Sequence, residues 1–507
     1  MFLRRSLAAA GGALSGPAIL RAQGGRPVIT HGVAAGDVTG GRAIVWSRAD
    51  RPARLVVEWS TTEAFAGARR VVGTTATAET GLTARAELTG LPAGQTIVYR
   101  ARFEDLAGAR SDSEPVPGRF RTAPTGRGDV LLAWSADTCG QGWGINPEWG
   151  GLRLYETMRQ VNPDVFVHCG DTIYADQPIT AEVKLDDGAV WRNLVTPAKS
   201  KVAQTLDEFR GNYLYNLLDD KMRRFNAEVA QVVLWDDHEV RDNWYPQEVL
   251  DDARYTERRA SVLAARARQA FLEHQPIRPA ADEPGRIYRA FDYGPSLKVF
   301  ALDLRSYRGP NSPNRQAQAG PDTALLGAAQ VRWLEERLRA SKATWKVIAC
   351  DMPLGLVVAD GPTDFEAVAN GDGGPPLGRE LEIAGVLRAL RAHDVRNVVW
   401  ITGDVHYAAA HHYDPARARF KDFKPFWEFV AGPLNAGTFG PGRLDDTFGP
   451  EARFIAIPPG MKPNRPPSAG FQFFGTLRVD GRTQVMTARL HDLTGKALYS
   501  LDLEPEP

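Results

Sequence analysis

Six short runs of apolar residues in this chain each end at, or shortly before, an aspartate. The runs are residues 130–134, 165–167, 232–235, 297–302, 347–349 and 398–401, and they lead to Asp137, Asp171, Asp236 with Asp237, Asp303, Asp351 and Asp404. Short apolar runs bounded by polar residues are typical of strands buried on both faces. Strands that share a sheet bring their ends to one edge, where open α/β sheets bind ligands. Because so many carboxylates would repel one another there, the pattern predicts a metal site.

Helical patterns separate these runs. Amphipathic helices are predicted at residues 151–161, 255–274, 323–342 and 383–392. Alternation of strands and helices makes βαβ units. Near the end of the chain, the turn Asp480-Gly481 joins two apolar segments into an antiparallel hairpin. We therefore expect an α/β fold with mixed sheets over residues 125–507.

Residues 26–124 have a different pattern. Alternating runs such as 42–47, 54–59, 84–88 and 97–103 are separated by turns rich in Gly, Pro and Thr. About seven short strands in about 100 residues indicate an N-terminal all-β sandwich of the immunoglobulin type. Apart from Asp37, this region contains no cluster of histidines or carboxylates. We expect it to pack against or position the rest of the chain.

The first residues resemble an export signal. Arg4 and Arg5 precede a mildly apolar stretch at residues 7–20, followed by Arg21-Ala22-Gln23. This is a charged region, a short apolar region and a small-residue cleavage site. Paired arginines before weak hydrophobicity favour the twin-arginine export machinery, with a disordered basic tail as the alternative. We expect a twin-arginine signal peptide at residues 1–25 and a periplasmic or extracellular protein, since the stretch is too short to be a transmembrane segment.

Composition adds three limits. The 507 residues are too many for one small core, so more than one domain is expected. The 61 Lys and Arg residues balance 61 Asp and Glu residues, which excludes a nucleic-acid-binding footprint of the basic kind. Three cysteines are too few for a disulfide framework. We expect a monomer.

Five segments at the predicted strand ends have the residue types of a metal centre. In order they are residues 137–142 (D-T-C-G-Q-G), 170–174 (G-D-T-I-Y), 235–239 (W-D-D-H-E), 350–353 (C-D-M-P) and 403–406 (G-D-V-H). Their order and character resemble the binuclear metallophosphoesterases, whose motifs are D-x-H, G-D-x-x, G-N-H-[DE], a lone histidine and G-H-x-H. The form G-D-x-x-Y is shared with purple acid phosphatases, in which the tyrosine binds iron(III).

Further motifs narrow the resemblance. Asp303-Leu304-Arg305 makes a D-x-R motif, and residues 32–37 (G-V-A-A-G-D) and 45–48 (V-W-S-R) stand in the β-rich region. Together with the five segments, they resemble the alkaline phosphatase D (PhoD) family over essentially the whole mature chain. The resemblance implies the four-layer α/β fold of the metallophosphoesterases, with mixed sheets.

The resemblance also implies the metal ligands. One site would have Asp137, Asp171, Tyr174 and His406, and a second would share Asp171 and add Asp237, Asp351 and Asp404. The second site contains only oxygen ligands, because aspartates stand where the superfamily has asparagine or histidine, and this suits Ca²⁺ or Mg²⁺. The first site, with a phenolate and one imidazole, suits Fe³⁺. A binuclear or trinuclear centre of Fe³⁺ and Ca²⁺ is expected, with other divalent ions possible.

The first ligand is open to two interpretations. PhoD relatives commonly have Ser-Cys-Gln at the first strand, with the cysteine on iron, whereas this chain has Asp137-Thr138-Cys139. Asp137 directly follows the apolar run, as the D-x-H motif requires, and is favoured. Cys139 remains the alternative.

The expected reaction is attack on phosphorus by a hydroxide that bridges two cations. His238 would protonate the leaving oxygen, with Asp236 or Glu239 orienting it, unless it is a structural histidine. Arg305, Asn464 and Arg465 are candidates for binding the phosphate, although the arginines could equally form surface ion pairs. The adjacent His411-His412 are expected to be exposed.

These observations predict an exported, metal-dependent phosphatase that hydrolyses phosphomonoesters, phosphodiesters or both. The alternative is a calcium-stabilised extracellular binding protein with a degenerate catalytic site. A serine hydrolase is excluded, because the chain has no G-x-S-x-G motif.

Overall fold

A computed structural model describes residues 25–106 and 111–506. The expected signal peptide, residues 1–25, lies outside the described residues except for Gly25. Among the helices of the described ranges, none has both the length and the apolar character needed to cross a bilayer.

The secondary structure is numbered in chain order. The strands are β1 Ile29–Thr39, β2 Arg42–Ala49, β3 Ala53–Ser60, β4 Arg69–Ala76, β5 Thr83–Leu88, β6 Thr96–Asp105, β7 Val116–Arg121, β8 Val130–Ser135, β9 Val165–His168, β10 Glu182–Lys184, β11 Val190–Arg192, β12 Ala230–Val233, β13 Arg289–Tyr293, β14 Leu297–Ala301, β15 Trp345–Ala349, β16 Ala359–Asp360, β17 Asp364–Phe365, β18 Val398–Thr402, β19 Ala409–Tyr413, β20 Phe426–Val430, β21 Pro450–Ile455, β22 Phe474–Val479, β23 Met486–His491 and β24 Ala497–Leu503. The helices are α1 Arg153–Val161, α2 Leu206–Asn216, α3 Asp220–Glu228, α4 Ala260–His274, α5 Gly327–Ala340 and α6 Glu380–Ala392.

Two large sheets form the centre of the molecule. The first sheet has nine strands in the order β24-β23-β22-β8-β9-β12-β1-β2-β5, and the second has seven in the order β13-β14-β15-β18-β20-β19-β21. In the first sheet β8, β9 and β12 are parallel neighbours, and in the second so are β14, β15 and β18. The other strands are mostly antiparallel, so the prediction of an α/β fold with mixed sheets is confirmed.

Four layers follow from the alternation of side chains along these strands. Val399 and Ile401 of β18 face a core between the two sheets, and Val167 of β9 reaches the same core from the opposite side. Trp400 faces the other way and packs with α5 and α6. Phe166 of β9 likewise packs against α1 and α3. Since both faces of each sheet are covered, the strands read as continuous apolar runs in the sequence.

The N-terminal residues form strands, as predicted, in an arrangement that differs from a separate sandwich. Strands β4-β3-β6-β7 make a four-stranded sheet of their own. Strands β1, β2 and β5 instead extend the first sheet, because β1 pairs in parallel with β12 at Gly36 and Gln231. Val45, Leu55 and Tyr99 lie in the core between these two layers.

Candidate metal centre

The parallel strands of both sheets end at the same edge, which we call the catalytic edge. The backbone there is unusual: Asp137, Asp171, Asp404 and His406 have φ angles of 68°, 52°, 66° and 60°. Non-glycine residues rarely adopt this left-handed conformation, and such residues cluster at functional sites. The sheets also approach closely, since a Cβ on Gly403 would lie 2.2 Å from Cβ of Ala136.

Carboxylates and imidazoles from four strand ends meet at this edge. Three groups each have candidate ligand atoms within 4.8 Å of one another: Asp137 with Asp171 and His406, Asp171 with Asp237 and His238, and Asp236 with Asp237 and Asp404. Asp171 and Asp237 each belong to two groups. The groups therefore form one continuous cluster across both sheets.

Several oxygen atoms of the catalytic edge lack any hydrogen-bond partner although they are buried. They include both carboxylate oxygens of Asp137, Oδ2 of Asp236, Oδ2 of Asp303 and Oδ1 of Asp351. Buried polar atoms in proteins nearly always have a partner, and an uncompensated buried charge is strongly destabilising. Bound cations would supply the missing partners, so the residues fit a metal centre.

The pKa values of these carboxylates also indicate that a cation belongs at the catalytic edge. Burial raises the pKa of Asp137, of Asp171 and of Asp404 well above the ordinary value, and neighbouring carboxylates such as Asp237 raise these pKa values further. Such raised pKa values are the mark of carboxylates without enough positive charge nearby. A bound cation reverses this effect.

His406 of the first group faces Tyr174. His406 Nδ1 donates a hydrogen bond to the carbonyl of Gly437, which leaves Nε2 to face Tyr174, at 2.9 Å from its hydroxyl oxygen. Burial lowers the pKa of His406 to about 4, so the ring is neutral, as a metal ligand must be. The Tyr174 ring lies against Gly140, where a Cβ would be 2.3 Å from the ring.

Cys139 lies apart from the carboxylate cluster. Its thiol is buried among apolar residues that include Ile145 and Tyr155, and its N–H donates to the carbonyl of Asn435 at 2.8 Å. Burial raises the pKa of Cys139 to about 12. Of the two candidate first ligands, the structure places Asp137 in the cluster.

Arg305 has different partners from those expected. Its side chain is 0% exposed and does not reach the cavity described below. Nε is 2.7 Å from Oδ1 of Asp236 and 3.2 Å from Oδ2 of Asp351, and Nη1 pairs with Glu366. The expected contact with phosphate is thus replaced by an ion-pair centre that joins three carboxylates from separate segments.

His238 is oriented by a residue that the sequence analysis did not select. Its Nδ1 is 2.8 Å from Oδ1 of Asp176, and its ring stacks on Tyr174 with centroids 4.3 Å apart. Nε2 is 3.6 Å from Oδ1 of Asp242. Burial alone would lower the pKa of His238, but Asp176, Asp237 and other carboxylates outweigh it and raise this pKa well above the ordinary value.

The two residues expected to orient His238 have other roles. Asp236 binds Arg305, as described above. Glu239 accepts hydrogen bonds from the N–H groups of Asp171 at 3.2 Å, Thr172 at 2.6 Å and Asp236 at 2.7 Å. Its carboxylate therefore fixes the turn after β9 to the turn after β12, and burial raises its pKa to about 7.

A cavity of about 420 Å³ opens over the cluster. Its lining includes the polar residues Gln141, Asp171, Asp237, His238, Asp242, Asn243, Glu366, Asp404 and His406, with apolar side chains of residues 356–359 and Phe439 on the walls. We call it the active cavity. A few convergent polar groups in a partly apolar cleft are typical of a small-molecule site.

Asn464 and Arg465 line a neighbouring cavity instead. Asn464 Oδ1 accepts from Trp143 Nε1 at 2.7 Å, and its Nδ2 donates to the carbonyl of Gln141 at 3.2 Å. Arg465 Nη1 lies 3.3 Å from Oδ2 of Asp186. Since Gln141 lines the active cavity, Asn464 supports its wall from behind.

The expectation that His411 is exposed is wrong. His411 is buried, and its Nδ1 lies 2.9 Å from Oε2 of Glu428. Tyr413 donates to the same oxygen at 2.8 Å, and Leu354 N–H donates to Oε1 at 2.7 Å. This buried network holds the loop that follows Asp351.

Three residues of the site escaped the sequence analysis. Asp176 follows Tyr174 by two positions, and Asp242 follows His238 by four, so spacing from a chosen residue was an available signal. Glu366 belongs to a long loop between motifs and gave no local signal.

Comparisons with known proteins agree with this geometry. The sequence pattern of the family described as PhoD-like phosphatase matches residues 132–490, and that of the PhoD-like phosphatase N-terminal domain matches residues 13–124. Alkaline phosphatase D of Bacillus subtilis (strain 168) is 28% identical over 444 residues, which cover 82% of this chain and 71% of the relative.

Two solved structures share the fold. One is a structure of PhoD, with a TM-score of 0.69 and 20% identity over 94% of this chain and 93% of that chain. The other is the purple acid phosphatase PPD1 from seeds of yellow lupin (Lupinus luteus), with a TM-score of 0.57 and 13% identity over 95% of this chain and 74% of that chain.

Proposed function

Because the chain belongs to the PhoD-like phosphatase family and is a metal-dependent hydrolase of phosphoric esters, we propose that the carboxylate cluster at the catalytic edge holds its metals. One observation carries this proposal: buried carboxylate oxygens from both sheets converge there without partners. No other cluster of this kind is found among the described residues.

The metals and their ligands are assigned as follows. Asp137, Asp171, Tyr174 and His406 would hold Fe³⁺, and Asp171, Asp237, Asp351 and Asp404 would hold Ca²⁺ in a binuclear or trinuclear centre. A phenolate and an imidazole beside carboxylates suit the first ion, and oxygen donors alone suit the second. The free Oδ1 of Asp351 supports its place in the second set, although it lies outside the three close groups. Cys139 is left out because its protonated thiol is buried elsewhere.

When bound, the metals supply an activated water at neutral pH and neutralise the charge of the phosphate. Proton transfer and the positioning of the carboxylates depend on side chains of the protein. His238, oriented by Asp176, lies on the lining of the active cavity, where a proton on its Nε2 can be passed to the leaving oxygen. Arg305 acts as a positioning residue, because it fixes Asp236, Asp351 and Glu366 relative to one another.

The finer features of the enzyme are proposals too. We infer that residues 26–124 are an N-terminal β domain, three of whose strands share the first large sheet, and that residues 125–507 are the catalytic domain, supported by the two family patterns, which end at 124 and begin at 132. Arg4-Arg5 support export by the twin-arginine route to the periplasm or beyond. We further propose a monomer that hydrolyses phosphomonoesters, phosphodiesters or both. The alternative of a binding protein with a degenerate site has no support, because Tyr174, Asp176 and His238 are all in place.

The experiment combines elemental analysis with turnover. Asp171→Asn and His406→Ala are expected to lose aryl phosphate hydrolysis and bound metal together, with the fold intact by circular dichroism. Asp303→Asn is the matched control: Asp303 also follows a parallel strand, but its Oδ1 accepts from Trp235 and from two N–H groups, which an amide oxygen can do equally. Unchanged turnover in Asp171→Asn, or equal metal loss in Asp303→Asn, would refute the assignment. Assays on matched mono- and diesters test the substrate range.

A further inference from the structure

The edge opposite the metal centre contains a second large cavity, which we call the basal cavity. It measures about 410 Å³ and lies at the starts of β15 and β18, between the end of α5 and the turn that joins β22 to β23. Its ionisable lining residues are Arg127, Arg339, Lys346, His393, Asp394, Arg396 and Glu506. No role in the reaction described above involves any of them.

Lys346 is the key residue of the basal cavity. Its side chain belongs to β15, the residue is only 9% exposed, and its ammonium group forms no hydrogen bond or ion pair within the described residues. Lys298, its partner in register on β14, provides the contrast, because its Nζ is 2.8 Å from Oδ1 of Asp292. The ammonium group is not among the fully buried atoms without a partner, so it is open to the basal cavity, where it is available to an anion.

The surrounding charges add to this positive potential. Burial, and then the positive charge of Lys342, lower the pKa of Lys346. Arg127 and Arg339 line the same cavity, are exposed, and form no ion pair with any described residue.

The two carboxylates of the lining do not cancel the cations. Asp394 already pairs with Arg396 at 2.6 Å and with Lys424. Glu506 lies near Arg396, whose pKa it helps to raise. Lys346, Arg127 and Arg339 are therefore left over as positive charges around the basal cavity.

We propose that the basal cavity binds a phosphate group, with Lys346 as the cation on its wall and Arg127 and Arg339 as exposed cations beside it. Three cations around one space suit a multiply charged oxyanion better than a single carboxylate, and guanidinium groups match phosphate geometry. The volume accommodates a phosphate group with an organic substituent, so the source is either free phosphate or a phosphate ester. The inference does not depend on the metal ligands proposed above.

The test uses the metal-replete enzyme and two probes that it cannot hydrolyse, inorganic phosphate and phenylphosphonate. Hydrogen–deuterium exchange of residues 341–346 and 393–397 reports the basal cavity, and inhibition of turnover reports the active cavity. Each probe is expected to slow exchange in those segments of the wild type. In Lys346→Met the concentration needed should rise about tenfold or more, because a charge-assisted hydrogen bond is lost. The inhibition constant should stay the same.

Two variants provide controls. Lys298→Met removes the neighbouring, paired lysine and should leave protection of the basal cavity unchanged, while Lys346→Arg should retain most of it. If Lys346→Met does not fold, the exposed double variant Arg127→Met/Arg339→Met should weaken the protection several-fold. Tighter binding of phenylphosphonate identifies an ester as the source, and tighter binding of phosphate identifies the free anion. Absence of protection in the wild type, or protection equal in the wild type and Lys346→Met, would overturn the proposal.

Discussion

The same parallel strands have opposite chemistry at their two ends. Strand β15 starts with an unpaired lysine, Lys346, and leads to a carboxylate with a free oxygen, Asp351. Left-handed turn residues occur at both edges, including Asp394, Asn397 and Gln484 at the basal cavity, but the catalytic edge has acids without partners and the basal edge has cations without partners. The strands supply rigid spacing for both edges. The comparison shows that one sheet system can hold unpaired acids at one edge and unpaired cations at the other.

Removal of the metals should affect the catalytic edge most. Prolonged chelation is expected to reduce phosphate ester hydrolysis to background and to lower the stability. The free energy of unfolding should fall by about 4 kcal/mol when the free metal had been present at about 1,000 times its dissociation constant. Hydrogen–deuterium exchange should increase in the turns at Asp137, Asp171 and Asp404 and remain unchanged at residues 341–346. Full turnover by protein that elemental analysis finds free of metal would contradict this prediction.

Loss of Arg305 should come next. Arg305→Met leaves Asp236, Asp351 and Glu366 buried without their common cation, and we expect the free energy of unfolding in urea to fall by about 3–5 kcal/mol. The control is Arg224→Met, which removes an exposed pair with Asp220 and should cost less than about 1 kcal/mol. Equal effects of the two changes would mean that the buried ion pairs stabilise the fold no more than an exposed ion pair does.

A smaller loss is expected when His238 loses its orienting partner. Asp176→Asn should lower kcat about 10- to 100-fold while the metal content stays the same, because the imidazole loses the carboxylate that orients it in the active cavity. Asp242→Asn is the matched control, since Asp242 is partly exposed and lies 3.6 Å from Nε2, and its effect should be weaker. Loss of metal from Asp176→Asn would instead make Asp176 part of the metal centre.

The smallest effect belongs to His274, the last residue of α4, whose ring stacks on Tyr213. It sets the baseline for stability measurements at low pH. Burial lowers the pKa of His274 to about 3, so below pH 6.5 the unfolded chain takes up a proton that the folded protein does not. The stability contributed by His274 is therefore present above pH 6.5 and is lost as the pH falls towards 3. His274→Phe should reduce the loss between pH 6 and pH 5 by about 1 kcal/mol, measured by urea unfolding. Substitution of the exposed His393 by Phe should not, and an equal change there would assign the effect elsewhere.

The strand ends could be predicted from the sequence because their signal is local. An apolar run that stops at an aspartate indicates both that the strand is buried and where the acid lies, as for β9 and Asp171. Helices α1, α4, α5 and α6 overlap the predicted helices for the same reason. Helix α2 was missed because most of its side chains are buried, Arg210 and Asn212 included, so it has no polar face; only its capping box of Thr205 and Glu208 marked its start.

Contacts between distant segments could not be predicted. Arg305 was expected to bind phosphate because guanidinium suits it, but that preference applies equally to the carboxylates that surround it in the fold. His411 was expected to be exposed because it follows a turn, yet it faces Glu428 of the adjacent strand β20. In both cases the residue type indicated a polar or charged contact. The identity of the partner, however, depended on contacts between segments far apart in the sequence.

The pairing of β1 with β12 has a consequence for anyone who wishes to trim the protein. A boundary near residue 124 looks like a convenient place to cut, but β1 covers the strand that leads to Asp236 and Asp237. Without residues 29–88, β12 would become an open edge with free backbone donors and acceptors, which invites intermolecular pairing. A shortened enzyme is therefore expected to aggregate. The N-terminal strands thus protect the edge of the first sheet from pairing with other molecules.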